Sequence, residues 1–101
     1  MANFLLAYKG GGMAATEEEQ AAAMEAWGSW FGSLGGAVVE AGAPFGGSAT
    51  IGSDKSVGNG GTLTGYSVLT ADSLDGAVGL AQGCPIFASG GSVEVYEAVE
   101  M

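Results

Sequence analysis

The hydrophobic pattern of the first third of the chain predicts a buried strand followed by an amphipathic helix. Residues Asn3 to Tyr8 are apolar on both alternating faces, which is typical of a central strand. Thr16 and Glu19 have the spacing of a capping box, so a helix is expected to begin at Thr16 and to end at Gly35-Gly36. Its apolar stripe comprises Ala23, Met24, Trp27, Trp30, Phe31 and Leu34.

A second strand and a long connection are expected next. The segment Ala37 to Phe45 is largely apolar, and Pro44 near its end indicates an edge strand or a strand terminus. Residues 46–62 are rich in Gly, Ser, Thr and Asn and show no hydrophobic periodicity. They predict a hairpin connection between two strands.

The last third predicts a strand, a short helix and a final strand. The strands are Gly65 to Ala71 and Ser92 to Val99. Asp72 or Ser73 is positioned to cap the helix, and Gly83 with Pro85 ends it. The apolar stripe of this helix comprises Leu74, Ala77, Val78 and Ala81.

The order β-α-β-β-α-β predicts one α+β domain over residues 1–101 with a ferredoxin-like fold. In that fold two helices cover one face of a four-stranded antiparallel sheet. The first strand is apolar on both faces, and Tyr66 and Val68 oppose Leu69 and Ala71 in the third strand. We therefore expect a second subunit to cover the open face, giving a homodimer with a pocket between the sheet and the partner.

The charge of the chain disfavours several classes of partner. Eleven acidic residues stand against two lysines, with no Arg and no His, for a net charge of −9. This field disfavours nucleic acids and anionic membranes. The single Cys84 fits a reducing compartment, and no segment has the length of a signal sequence or a membrane span. A cytoplasmic protein is expected.

Cofactor motifs are weak in this chain. Gly10-x-Gly12-x-x-Ala15 matches the dinucleotide fingerprint, but the predicted helix begins later, and the three glutamates Glu17 to Glu19 occupy the place of the pyrophosphate. No Walker A loop precedes Lys55, and the absence of His leaves few metal ligands. We expect no cofactor and no metal.

A set of motifs, in order along nearly the whole chain, resembles the YCII-related (DGPF-type) family. The motifs are Trp27-x-x-Trp30-Phe31, Leu34-Gly35, Glu40 to Pro44, Ala71 to Asp75 with Ala77, Gly83-Cys84-Pro85 and Gly90 to Val95. The resemblance implies a ferredoxin-like dimer of the dimeric α+β barrel type. Most members have no assigned activity, and those that resemble enzymes use a His-Asp pair beside the sheet. This chain has no His and carries Cys84-Pro85 where other members have Asp-Pro, so the pair is not carried over to any residue here.

Five residues are the candidates for a ligand site, each with a structural alternative. Trp30 could stack on a ligand or pack in the core, and Cys84 could replace the acidic pocket residue or be a buried thiol. Glu40 could be a buried general base or a solvated side chain. Tyr66 and Tyr96 could bind a ligand from the open face or line the dimer interface. Glu40 and Cys84 are the candidates for catalysis.

These observations favour a non-catalytic dimeric protein that binds a small molecule or has an accessory role. The alternative is a small-molecule enzyme of the lyase, hydrolase or isomerase type that uses Glu40 with Tyr66 or Cys84 in a pocket beside the sheet. A third hypothesis is a purely structural dimer. If Glu40 and Cys84 face different sides of the sheet, they cannot act together in one chain.

Overall fold

The computed structural model describes residues 2–10 and 16–99 of the chain. Within these ranges the chain forms a mixed α+β structure. The elements in order are β1 (Ala2–Lys9), α1 (Glu17–Leu34), β2 (Val38–Pro44), β3 (Ala49–Ile51), β4 (Val57–Asn59), β5 (Leu63–Ala71), α2 (Leu74–Ala81) and β6 (Ser92–Ala98). Short 3-10 helices span Gly35–Ala37 and Pro85–Ser89.

Four strands form an antiparallel sheet in the order β2-β5-β1-β6. β1 lies between β5 and β6, in agreement with its two-sided apolar pattern. β2 lies at an edge, as Pro44 indicated. The predicted helices and the four predicted strands are all present, with bounds within two residues of those expected.

Both helices cover the same face of the sheet. Trp30 of α1 and Ala81 of α2 pack in one core cluster with Leu6 and Tyr8 of β1 and Leu69 of β5. Phe4 of β1, which is fully buried, packs with Ala77 of α2 in a second cluster. The opposite face of the sheet, hereafter the open face, carries no helix in the part of the chain that the structure describes.

Helix α1 begins where the sequence predicted. The Glu19 N–H donates to Thr16 Oγ1 at 3.1 Å, and Gly35 ends the helix with a φ of 55°. The predicted core stripe is only partly correct. Trp30 alone is buried, and Met24 is 76% exposed, because residues 17–26 of α1 stand away from the sheet.

Helix α2 is capped by Ser73 rather than by Asp72. The Ser73 hydroxyl accepts a hydrogen bond from the Gly76 N–H at 3.0 Å. The predicted stripe requires a correction, because Ala77 and Ala81 are buried whereas Leu74 and Val78 are 48% and 37% exposed. Ala77 and Ala81 lie in the core clusters with Leu80 packed against them, whereas Leu74 and Val78 belong to neither cluster.

The 46–62 connection contains a two-stranded sheet that the sequence did not predict. β3 pairs with β4, and Ile51 lies opposite Val57 with both side chains 70% exposed. The turn is closed by the Gly52 N–H, which donates to the Ser56 carbonyl at 2.8 Å, and Lys55 adopts a φ of 70°. This pairing depends on turn geometry rather than on hydrophobic alternation.

The edge strand β2 changes register twice against β5, between Val38 and Glu40 and between Glu40 and Ala43. Gly42 lies in the second irregularity with a φ of 77°. A Cβ at this position would overlap the backbone carbonyl of Tyr66 on β5. Only glycine therefore allows β2 to approach β5 in this bulged geometry.

We predict that Gly42→Ala lowers the free energy of unfolding by about 1–3 kcal/mol, because it combines an unfavourable positive φ with a backbone overlap. Gly46→Ala is the matched control, because Gly46 faces open space without a positive φ. Its effect should stay within about 0.5 kcal/mol. Urea unfolding followed by tryptophan fluorescence measures both, and equal midpoints would show that the bulge does not require glycine.

Candidate functional site

A cavity of about 670 Å³ lies between α1 and the sheet, on the face that the helices cover. One wall is formed by Met24, Trp27 and Phe31 of α1. The opposite wall is formed by residues 41–44 of β2 and residues 64–67 of β5, and Tyr8 at the end of β1 contributes to the floor. Residues 17–26 of α1 are all exposed, so side chains of this part of the helix do not fill the gap.

The helical wall is a cluster of aromatic rings in mutual contact. The ring of Trp27 lies edge-on to Tyr8 at a centroid distance of 5.2 Å and edge-on to Trp30 at 5.8 Å. Phe31 lies 4.8 Å from Trp30. These distances are in the range of favourable ring contacts, so the wall offers a continuous aromatic surface to a flat apolar ligand.

A chain of two hydroxyls crosses the floor of the cavity. The Tyr8 hydroxyl donates to Ser67 Oγ at 2.7 Å, and Ser67 Oγ donates to the backbone carbonyl of Ala41 at 2.7 Å. Tyr8 is 6% exposed and Ser67 is fully buried. All three residues line the cavity. The chain thus provides buried polar groups within a largely apolar site.

Burial raises the pKa of the Tyr8 hydroxyl to about 12, from an ordinary value of 10. The hydrogen bond with Ser67 opposes this rise, and nearby Cys84 adds to it. Tyr8 is therefore a neutral hydroxyl at physiological pH. No described residue that lines the cavity carries a charged side chain, so the described lining is electrically neutral.

The sequence-predicted residues do not form one site. Glu40 and Tyr66 are brought together, because the Tyr66 hydroxyl donates to Glu40 Oε1 at 2.6 Å. Glu40 lies opposite Val68 on the open face, whereas Cys84 packs in the core cluster on the helix face. Glu40 and Cys84 are therefore on different sides of the sheet, so this chain does not unite them in one pocket.

Trp30 and Cys84 both lie in the core cluster beneath the cavity. The Trp30 indole N–H donates to the Leu80 carbonyl at 3.2 Å, and burial raises the pKa of the Cys84 thiol. Neither residue lines the cavity. Trp30 therefore packs in the core and Cys84 is a buried thiol, which were the alternatives to a role in ligand binding.

Tyr96 lies on the open face. Its hydroxyl donates to Glu94 Oε2 at 2.7 Å, and Lys9 Nζ lies 3.0 Å from Glu94 Oε1. These two bonds lower the pKa of Glu94, and the carboxylate raises the pKa of Tyr96. The Glu40 carboxylate likewise raises the pKa of Tyr66. Of the five candidates, only Tyr66 also lines the cavity.

Sequence reasoning missed Tyr8, Ser67, Trp27 and Phe31 as site residues. One signal was present for Ser67, which shares the inward alternation of Leu69 and Ala71 and is polar. A buried polar side chain needs partners, so its position indicated a local hydrogen-bond network. No feature of the sequence predicted how far α1 would lie from the sheet.

The described residues provide no arrangement of side chains that would support a metal or nucleotide site. Among residues 2–10 and 16–99, no three His, Cys, Asp or Glu side chains are grouped so that they could hold a metal ion. Gly12 and Ala15 of the dinucleotide fingerprint lie outside the described residues.

None of the helices in the described ranges has the length and hydropathy needed to cross a lipid bilayer.

Comparison with known proteins gives no assignment, since neither a protein-family model nor a curated protein matches this chain. The candidate site therefore depends on its own geometry.

The raised pKa of Tyr8 predicts a stability change at alkaline pH. The unfolded chain loses the tyrosine proton near pH 10, whereas the folded chain keeps it up to about pH 12. Stability is therefore fully present below pH 10 and falls as the pH rises toward 12, by at most about 1.4 kcal/mol per pH unit for one proton. Urea unfolding at several pH values should show a steeper loss in the wild type than in Tyr8→Phe. Parallel profiles would contradict the burial of this hydroxyl.

Proposed function

We propose that this chain is a homodimeric, non-catalytic protein that binds a small molecule in the cavity between α1 and the sheet. The observation that carries the proposal is the cavity itself. Its volume of about 670 Å³ lies within the range of small-molecule sites, and aromatic rings with a few fixed polar groups line it. An apolar ligand would gain contact with rings that are already held in place by their neighbours.

The chemistry of the floor favours binding over catalysis. The hydroxyl chain ends on the backbone carbonyl of Ala41, which cannot take up a proton as a general base does. No carboxylate, thiol or imidazole belongs to the described lining. The site therefore offers shape, apolar surface and hydrogen bonds.

We predict that 2-naphthol, a neutral bicyclic probe, binds at this cavity and quenches tryptophan fluorescence. Ala23→Phe should weaken its binding about tenfold or more, because Ala23 lines the cavity and a phenyl ring would occupy the space of the probe. Ala22→Phe is the matched control, because Ala22 is exposed on α1 and does not line the cavity. Isothermal titration calorimetry gives the affinities.

The control should bind the probe within about twofold of the wild type. If 2-naphthol does not bind the wild type, or if both variants bind it as the wild type does, then the cavity is not a ligand site.

We also propose that the fold is ferredoxin-like and that the chain belongs with YCII-related proteins. The strand order β2-β5-β1-β6 and the packing of both helices on one face support this arrangement, with the β3–β4 hairpin as an insertion. The motifs around Trp27, Glu40 and Cys84 support the family. The free thiol of Cys84 supports a reducing, cytoplasmic location.

The open face supports a dimer in which two copies stack sheet on sheet. Leu5 of the central strand β1 is 36% exposed there, and Tyr96 is 51% exposed. The carboxylates of Glu40 and Glu94 already accept hydrogen bonds from tyrosine hydroxyls of the same face. A partner would cover Glu94 together with Lys9 and Tyr96, and Glu40 together with Tyr66, which offsets part of the cost of burying these groups.

We predict that Leu5→Asn weakens the homodimer about tenfold or more, because it removes apolar surface from the centre of the open face. Leu74→Asn is the matched control, since Leu74 is 48% exposed on α2, away from this face. Raising the salt concentration should strengthen the dimer, because each copy carries a net charge of −9 and salt screens their repulsion. Sedimentation equilibrium measures both effects, and a monomer at all salt concentrations would exclude the dimer.

An enzyme using Glu40 with Tyr66 is the second candidate function. The bond of 2.6 Å between the Tyr66 hydroxyl and Glu40 Oε1 is the observation in its favour. The pair ranks second because Glu40 is exposed on the open face and does not line the cavity.

A further inference from the structure

The hydrogens of the buried hydroxyl chain point in one direction. The Ala41 carbonyl can only accept, so the single hydrogen of the Ser67 hydroxyl is used at this end. Ser67 must then accept from Tyr8, which uses the single tyrosine hydrogen. The Tyr8 oxygen keeps a free lone pair and has no hydrogen left for a ligand.

The other hydroxyls of the lining are committed in the same way. Thr64 Oγ1 lies 3.3 Å and 3.2 Å from the carbonyls of Tyr8 and Gly10, and Ser89 donates to the Ile86 carbonyl at 3.0 Å. The Tyr66 hydroxyl donates to Glu40. Every hydroxyl among the described lining residues therefore gives its hydrogen to the protein, and none keeps a hydrogen for a ligand. The Trp27 indole N–H is the one lining side-chain donor for which the described residues provide no acceptor.

From this polarity we infer that the cavity selects neutral, largely apolar ring compounds that carry a hydrogen-bond donor, such as a ring hydroxyl or N–H. The inference rests on the proposed function of the cavity. A donor on the ligand adds a hydrogen bond to the Tyr8 oxygen. A ligand that can only accept gains no net bond at the hydroxyl chain, because it would have to take the tyrosine hydrogen away from Ser67. The Trp27 indole N–H is the one described side-chain donor open to it, and a ligand with a donor can use that N–H as well as the Tyr8 oxygen.

Charged ligands are disfavoured because the described lining offers no opposite charge. A carboxylate or phosphate would leave water for a site without Lys, Arg or His, in a chain whose net charge is −9. An ammonium group would find no carboxylate in the described lining to pair with it. The aromatic wall of Trp27 and Phe31 fits a neutral ring.

The test compares three probes of nearly equal shape at pH 7. 2-Naphthol can donate a hydrogen bond, 2-methoxynaphthalene can only accept one, and 2-naphthoate is an anion. We expect the wild type to bind 2-naphthol about 2- to 12-fold more tightly than 2-methoxynaphthalene, which is the value of one net hydrogen bond. Binding of 2-naphthoate should be weaker than that of both neutral probes. Calorimetric titration gives the three affinities.

Two variants identify the responsible atoms. Tyr8→Phe removes the acceptor, so the two neutral probes should bind alike. Ser67→Ala frees the tyrosine hydrogen, so 2-methoxynaphthalene should bind more tightly. The preference for 2-naphthol over 2-methoxynaphthalene should therefore become smaller. Tyr96→Phe, on the open face, is the control and should keep the wild-type preference. If Tyr8→Phe does not fold, Ser67→Ala still tests the direction of the chain.

The outcomes separate this inference from the proposed function. If both neutral probes bind the wild type equally and Ala23→Phe blocks both, the cavity is a ligand site but the preference for ligands with a hydrogen-bond donor is wrong. Tighter binding of 2-naphthoate would also overturn it. Absence of binding by any probe would overturn the ligand site as well.

Discussion

The contact of Trp30 with the rest of the protein determines how α1 lies on the sheet. Trp30 is the only described residue of this 18-residue helix that is buried, and its indole N–H is bonded to the Leu80 carbonyl. A Cβ at Gly83 would lie 3.3 Å from the indole ring, so the small residue there leaves room for it. This anchor is near the end of α1, and residues 17–26 in the first part of the helix are all exposed. The gap under that part is the cavity, so the fold of α1 and the candidate site have the same cause.

The bulged edge of β2 provides the other half of the same arrangement. Gly42 lets residues 41–44 approach β5 out of register, which aims the Ala41 carbonyl at the inward hydroxyl of Ser67. Ser67 then needs a donor in a buried place, and Tyr8 supplies it. These bonds satisfy buried polar groups, which stabilises the fold. The same bonds fix the hydrogens of the floor, so the chemistry offered to a ligand follows from a requirement of folding.

The sequence predicted what depends on a few neighbouring residues. Caps at Thr16 and Ser73 and the glycine stop at Gly35 act within one helical turn, so the two helices were predicted correctly. The β3–β4 hairpin was missed, because its pairing depends on the positive φ of Lys55 and on turn bonds rather than on alternation. The role of Met24 was also misjudged, since periodicity indicates which face of a helix is apolar and not how far that face lies from the sheet. The site was found only in part for this reason.

Alternation along β5 gives the sheet two surfaces of different character. Ser67 faces the helices and belongs to the hydroxyl chain, whereas Val68 faces the other way and belongs to the open face. Tyr66 takes part in both, because the residue lines the cavity while its hydroxyl is bonded to Glu40. If a second copy covers the open face, it will contact that hydroxyl bond and restrict the strand segment that forms a wall of the cavity. Under the two proposals, β5 is therefore the element through which dimer formation and ligand binding would influence each other.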